Sequence, residues 1–426
     1  MEPTLQPCNN IGNSRSSFCP FSLKMTHVDC MINIEFVNHP IYTGLEIQRH
    51  DDEIAGTGLL VFLQRKLNNI TDVYYESTFH NPFSLKKSFS LGKGLGVWKK
   101  QQFVFATLDV SAETGVQANV MFRDIDGRLI HVQMNDDTPF DPHQRSGMTH
   151  GFLSPIGAAN NKPSSLQLIY MKQFDLVRRA GAVPIIEIDG RSVSTGHVPL
   201  ERCLWGTRLI KVAKDLIVVQ LNPKIRKIND ETHHGHFQSI VHRDNHGHVQ
   251  GISAESHGHC ATFFLDRSFP NSIDLEETRE DGSWRVDIDG DRIVSGTWEY
   301  EAVSNSTENT TEAKIQLRVT RGWRPNGLSW MIKMLFPFGS TLKDWPETYR
   351  WVSYVQWNRG ETNPAMVSHW ERISGDYGSS LLEADEKTST CSTGEHLRHA
   401  SQKSMQSIFF TLMRLQRNRG SHYLSE

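Results

Sequence analysis

The sequence predicts an all-β protein built as two antiparallel lobes of barrel or sandwich type, with few short helices. Three observations carry that prediction. Short runs such as LLVFLQ, VYYESTF, QFVFATLDV and ANVMF are rich in aromatic and β-branched residues and bounded by Gly, Asn and Asp, the composition of strands. Few windows show the i, i+3, i+4 apolar stripe of a helix. Tight turns recur at Asp124–Gly127, Asp189–Gly190, Asp244–Gly247, Asp281–Gly282 and Asp289–Gly290. Asp tolerates the left-handed conformation and Gly supplies positive φ, so each reads as a reversal between antiparallel strands.

Residues 1–38 are rich in Ser, Asn, Pro and Cys without a sustained period and read as a disordered lead-in or a short edge segment. Residues 39–200 form the first β lobe and 201–374 the second, where nine of the ten tryptophans lie. Among these, LSWMIKMLF and DWPETYRWV suit a helical turn or two. Residues 375–426 form a Ser/Thr/Glu/Lys-rich linker and then a short amphipathic helix, SIFFTLMRLQRNR. That helix either docks on its own lobe or makes a weak surface contact with a partner.

Totals bound the function. A length of 426 residues suffices for two cored domains. A formal net charge of -3 gives no electrostatic case for nucleic acid. No apolar run approaches the roughly 20 residues of a transmembrane helix, and the N-terminus lacks the apolar region of a signal peptide. The six cysteines include no Cys-x-x-Cys pair, which argues against a thiolate zinc cage and for reduced thiols in a cytoplasmic protein. In that compartment the sequons at Asn69, Asn305 and Asn309 are chance triplets.

Chemistry concentrates in Glu231–Cys260, which holds eight of the twenty histidines and repeats His-Gly-His at His234/His236, His246/His248 and His257/His259. As a hairpin turning at Asp244–Gly247, with His242 opposite His248, it places Glu255, His257 and His259 on the more apolar, inward face. A histidine beside Glu255 suits proton transfer, making Glu255, His257 and His259 the candidate catalytic residues. Histidines two apart on a strand stand roughly 6.5 Å apart and can share an ion. His257, His259, His234 and His236 are therefore candidate ligands of a divalent metal, with Asp266, His150 or His197 as a further donor. The competing reading is a solvated histidine-rich sheet face with no specific role. Trp284 and Trp298 are candidates to line a ligand cavity.

Other features read as structure. Gly92–Gly96 lacks the Lys-Ser/Thr of a phosphate loop, and Asp287–Asp291 is a turn rather than a calcium loop. Asp136, Asp137, Asp141 and His143 sit in a long loop, where a lid or ion site could be built.

Two motif pairs recur in the same order: MFRDIDGRLI with VHRDNHGHVQ, and IEIDGRSVSTGHV with VDIDGDRIVSGTW. They read either as an internal duplication or as convergent turn chemistry. On these hairpins and its length the chain resembles the doubled lipocalin-like proteins of the carotenoid 1,2-hydratase (hydroxyneurosporene synthase) and AttH-like group. The resemblance implies an apolar small-molecule ligand, terpenoid- or lipid-like, with acid-base hydratase, isomerase or cyclase chemistry. It carries over no catalytic residue. Two other functions stay open: a metal-dependent enzyme, and a non-catalytic interaction module.

Overall fold

In the computed structural model the described residues are 18–52, 55–68, 70–82, 85, 95–111, 113–137, 165–175, 178–179, 183–195, 207–208, 210–223, 239–270, 278–305, 310–321, 349–358 and 364–373. The elements they form are all strands, as expected, including a sheet curled into a half-barrel. The expected helix at 407–419, and LSWMIKMLF, lie outside the described residues. Of DWPETYRWV, the last residues open the strand Tyr349–Asn358 instead of a helix.

A seven-stranded sheet lies at the centre. Its order is Leu95–Gln101, Thr71–Glu76, Gly56–Arg65, Tyr42–Asp52, Leu23–Glu35, Ile210–Leu221, Leu166–Asp175. Only the pairing of Thr71–Glu76 with Leu95–Gln101 is parallel within it. The strand Leu23–Glu35 corrects the expectation of a lead-in to residue 38. It pairs with Ile210–Leu221 from Leu23 opposite Leu221 to Ile34 opposite Ile210. Polar residues between its apolar ones hid it: LKMTHVDCMINIE alternates only in part, because its two ends bury opposite faces.

Those opposite faces serve two cores. Cys30, Ile32 and Ile34, with Ile210 and Val212, pack against the five-stranded sheet, whose members include Gly115–Arg123 and Leu129–Asp136. Leu23, with Ile217, Val219 and Leu221, packs instead against the eight-stranded half-barrel. That sheet runs in sequence order: Ser239–Arg243, Val249–Ser256, His259–Phe269, Thr278–Ile288, Asp291–Asn305, Thr310–Arg321, Tyr349–Asn358, Ala365–Arg372. Trp284, Trp298, Trp351 and Trp370 are fully buried in its core. Phe21 packs among them, 5.1 Å from both Phe263 and Phe269 and 5.9 Å from Trp351 between ring centres.

Four of the five expected turns are present. Asp189–Gly190 and Asp289–Gly290 have φ of 53° and 69°, and 50° and 85°, as a two-residue hairpin turn of type I′ requires. The two Arg-Asp-x-x-Gly turns are built alike: the Asp124 and Asp244 carboxylates each accept backbone N–H bonds two and four residues on. Arg123 and Arg243 each donate to the carbonyl of the turn glycine. The fifth, Asp281–Gly282, is not a turn. It lies inside Thr278–Ile288, with Gly282 opposite Trp298. A Cβ there would stand 2.6 Å from Trp298 Nε1, so the glycine makes room for an indole.

On the face of the central sheet that carries Asn33, a polar ladder is buried. Asn33 Nδ2 donates to Glu46 Oε2 at 2.9 Å, Gln48 Nε2 to Glu46 Oε1 at 2.6 Å, and His50 Nε2 meets Gln48 Oε1 at 2.8 Å. Burial pushes the Glu46 carboxyl up to about 7, against the lowering effect of Gln48 and Asn33, and pushes His50 down to about 3. A carboxyl raised in the fold favours the protonated form. Stability is therefore fullest below the ordinary value of 4.5 and falls as pH rises through about 7. The expected loss is on the order of 3 kcal/mol, seen in urea midpoints compared at about pH 5 and about pH 8, and Glu46→Gln should flatten that dependence. At Gly296 a Cβ would meet Arg318 O at 1.9 Å and Trp284 at 2.7 Å. Gly296→Ala should accordingly cost about 3 kcal/mol in the same assay.

Candidate functional site

The histidine-rich stretch does not fold as one ribbon with a single turn. The turn at Asp244–Gly247 is present, but its register is offset: His242 lies opposite Gly251 and Arg243 opposite Val249, with a bulge between. A second turn follows at once. His257 and Gly258 have φ of 51° and 77° and join Val249–Ser256 to His259–Phe269, with Ser256 opposite His259. His-Gly here is hairpin chemistry, since histidine is among the residues that enter the left-handed region.

This second turn separates the three candidate catalytic residues. Glu255 pairs with Cys260, one position out of step with Ser256 and His259, so it projects from the opposite face and is exposed. His257 sits exposed at the turn itself. His259 is buried and leads the inward row continued by Ala261, Phe263 and Leu265. His257 and His259 are therefore not neighbours along one strand.

Other elements bring partners to His259. Its Nδ1 stands 2.7 Å from Asp289 Oδ2, and its Nε2 stands 2.9 Å from Asp215 Oδ1. Asp289 belongs to the turn after Thr278–Ile288, and its other oxygen accepts the Cys260 N–H at 3.0 Å. Asp215 interrupts Ile210–Leu221 with a φ of 60°. The left-handed residue turns its carboxylate out of the regular alternation. The same Oδ1 lies 2.8 Å from Nε2 of His27, on the adjacent strand Leu23–Glu35. His257 then stacks on His27, with ring centres 4.4 Å apart and planes 19° from parallel.

The electrostatics are those of a compact, half-shielded ion cluster. His27 and His259 are each 9 % exposed in their side chains, Asp289 is 13 % and Asp215 is 37 %, so Asp215 is the member open to solvent. The hydrogen bond from His27 is the chief cause holding the Asp215 carboxyl down to about 2, with His259 adding to it and burial opposing. With a carboxylate oxygen at each ring nitrogen, His259 can be a doubly protonated imidazolium, or it can keep its proton at Nδ1 and present Nε2 to a cation. His27 Nδ1 is buried and has no hydrogen-bond partner among the described residues.

The remaining candidates fall elsewhere. His234, His236, His150, His197, Asp141 and His143 lie outside the described residues. Asp266 is exposed and accepts the Arg267 and Ser283 N–H groups. Asp136 is buried at the end of its strand and Asp137 exposed beyond it. Trp284 and Trp298 stand in the half-barrel core, Trp284 donating to the Thr297 carbonyl at 3.0 Å. His27, Asp215 and Asp289 were not singled out as candidates from sequence. Asp289 alone had a local signal, as half of an Asp-Gly turn.

No family model matches the chain, and neither a curated protein nor a solved structure matches it. The site therefore rests on its geometry. Asp289→Ala removes the acceptor for both His259 Nδ1 and Cys260 N, and should lower unfolding free energy by about 3 kcal/mol. Glu255→Ala, four positions from His259 but on the outer face, should stay within about 0.5 kcal/mol of wild type in the same denaturation experiment.

Proposed function

We propose that this protein binds an apolar small molecule carrying oxygen functions inside the curled eight-stranded sheet, with the His259 cluster at the edge of that interior. One observation carries the reading. Tyr300, Ile315, Ser353 and Ser368 form a single row across four neighbouring strands, and Trp298, Leu317, Trp351 and Trp370 form the next. The Tyr300, Ser353 and Ser368 hydroxyls and the Trp298 and Trp351 indole N–H groups are buried and have no hydrogen-bond partner among the described residues. Only Trp370 is answered in these rows, donating to the Leu221 and Asn222 carbonyls at 3.1 and 3.0 Å.

An unmet donor in a dry interior costs about 1–3 kcal/mol, and a whole domain is stable by only about 5–15 kcal/mol. Donors gathered in adjacent rows, and set among Phe263, Phe269 and Trp284, point to acceptors arriving from outside the chain. An apolar body satisfies the aromatic walls, and carbonyl or hydroxyl oxygens satisfy the hydroxyls and indoles. A terpenoid or lipid-like ligand has both. His259 heads the strand whose inward residues Ala261 and Phe263 belong to the same core, so the polar cluster adjoins the place where such a molecule would lie.

The terpenoid ketone β-ionone and a hydrocarbon of the same skeleton test the reading by tryptophan fluorescence and calorimetry. The ketone should bind about tenfold tighter than the hydrocarbon, and Tyr300→Phe with Ser353→Ala should reduce that preference about fivefold or more. Equal affinity for the two probes, or binding of neither, would mean that ordered water answers the donors and would overturn the proposal.

A further inference from the structure

We infer that His27 Nε2, His259 Nε2 and the Asp215 carboxylate form a binding site for one divalent first-row metal ion. This goes beyond ligand binding in the half-barrel and does not depend on it. The three donor atoms lie within 4.8 Å of one another, and both imidazole nitrogens already face one carboxylate oxygen at 2.8 and 2.9 Å. Cis donors of an octahedral ion with bonds of about 2.1 Å stand about 3.0 Å apart. In a tetrahedral site the same edge is about 3.4 Å. Small side-chain rotations therefore convert the cluster into either shape.

The surroundings match what metal sites require beyond their ligands. His259 has its other nitrogen on Asp289 Oδ2 at 2.7 Å, the carboxylate–histidine arrangement that fixes the tautomer and leaves Nε2 free for an ion. Asp289 is itself held, through Cys260 N and the turn it belongs to. His27 has no such hydrogen bond, and the stacked ring of His257 steadies its plane instead. Charge also balances. A dication with two neutral imidazoles, Asp215 and Asp289 sums to zero. Two histidines and one carboxylate on a half-open face leave coordination positions for water or for an oxygen of a bound molecule.

The metal alone is the probe. Full-length protein without an affinity tag is stripped with chelator, then titrated with Zn2+, with Co2+, and anaerobically with Fe2+. Calorimetry and the visible spectrum of the Co2+ form are the readouts. One equivalent should bind, and His27→Gln, His259→Gln or Asp215→Asn should each weaken binding by about a hundredfold or more. Asp289→Asn should weaken it about 10–100-fold. His246→Ala with His248→Ala, on the exposed turn at the other end of Val249–Ser256, should leave it unchanged. If the first three variants bind as wild type does, or if the His246/His248 variant loses the ion, the metal is adventitious on surface histidines and the site is refuted. Should the ligand variants fail to fold, the wild-type Co2+ spectrum decides: ligand-field bands of bound N/O coordination that Asp289→Asn perturbs support the site, and the spectrum of the free hydrated ion overturns it. No step uses an organic ligand, so failure here leaves the β-ionone result untouched, and the reverse holds.

Discussion

The structure depends on one antiparallel pairing, between Leu23–Glu35 and Ile210–Leu221. It joins chain segments that start nearly 190 residues apart and supplies apolar side chains to both main cores. At one end Ile32 and Ile34 close the first core, and at the other Leu23 and Leu221 close the second. Neighbouring strands extend each cover, Leu45, Ile47, Leu59, Val61 and Leu63 over the five-stranded sheet and Leu166, Leu168 and Tyr170 over the half-barrel, but among the described strands of the central sheet this pair supplies residues to both. Loop closure over such a distance is entropically costly and slow, so the pairing must be repaid by burial on both sides. The two cores are coupled through it: loosening the pair exposes apolar surface in each.

A strand pair that buries one face at one end and the other face at the other has to manage the crossover. Asp215 sits at that point, opposite Asp29 in the register that runs through Val28–Leu216 and Cys30–Lys214. Its left-handed backbone interrupts the ladder there, and its carboxylate is collected by His27 and His259. A non-glycine residue at positive φ inside a strand costs on the order of 1–3 kcal/mol. Hydrogen bonds between its carboxylate and two imidazoles offset that strain and tie the end of the half-barrel to the central sheet. The candidate site is thus located where the architecture is already under constraint, between two sheets, with the partly exposed Asp215 carboxylate as one of its members.

The sequence made the strand content and most turns legible because both are local. Asp124, Asp189, Asp244 and Asp289 signal reversals through their own chemistry and that of the glycine one or three positions on. Asp281–Gly282 carried the same signal for a different reason, the close approach of Trp298, which no neighbouring residue announces. His257–Gly258 was the opposite case: a real turn obscured by reading His257 and His259 as a ligand pair on one strand. His259 was legible as a candidate, whereas its partners were not. His27 lies in a stretch whose composition suggested disorder, and Asp215 lies in a lysine-flanked, otherwise aliphatic strand. Their meeting is a consequence of register across 188 residues, and periodicity does not carry that information.

The two Asp-Gly turns show how little separates a structural device from a site. Asp189 and Asp289 make the same pair of bonds: the backbone N–H of each donates to the carbonyl of a residue on the adjacent strand, Leu129 or Cys260, and one carboxylate oxygen accepts that residue's N–H. The correspondence stops there, because Leu129 follows the Arg-Asp-x-x-Gly turn while Cys260 follows the next hairpin, at His257–Gly258. It is the residue before Cys260 that matters. His259 brings an imidazole to the second oxygen of Asp289, and its far nitrogen reaches Asp215 on the central sheet. A capping aspartate that needs only one oxygen for its turn has the other to spare, and in the half-barrel that oxygen orients a histidine. The turn would form without His259, as the Asp189 turn does, so the local fold does not require the imidazole. Its placement between two carboxylates is explained by what the cluster holds together, a second sheet and, on the inference above, an ion.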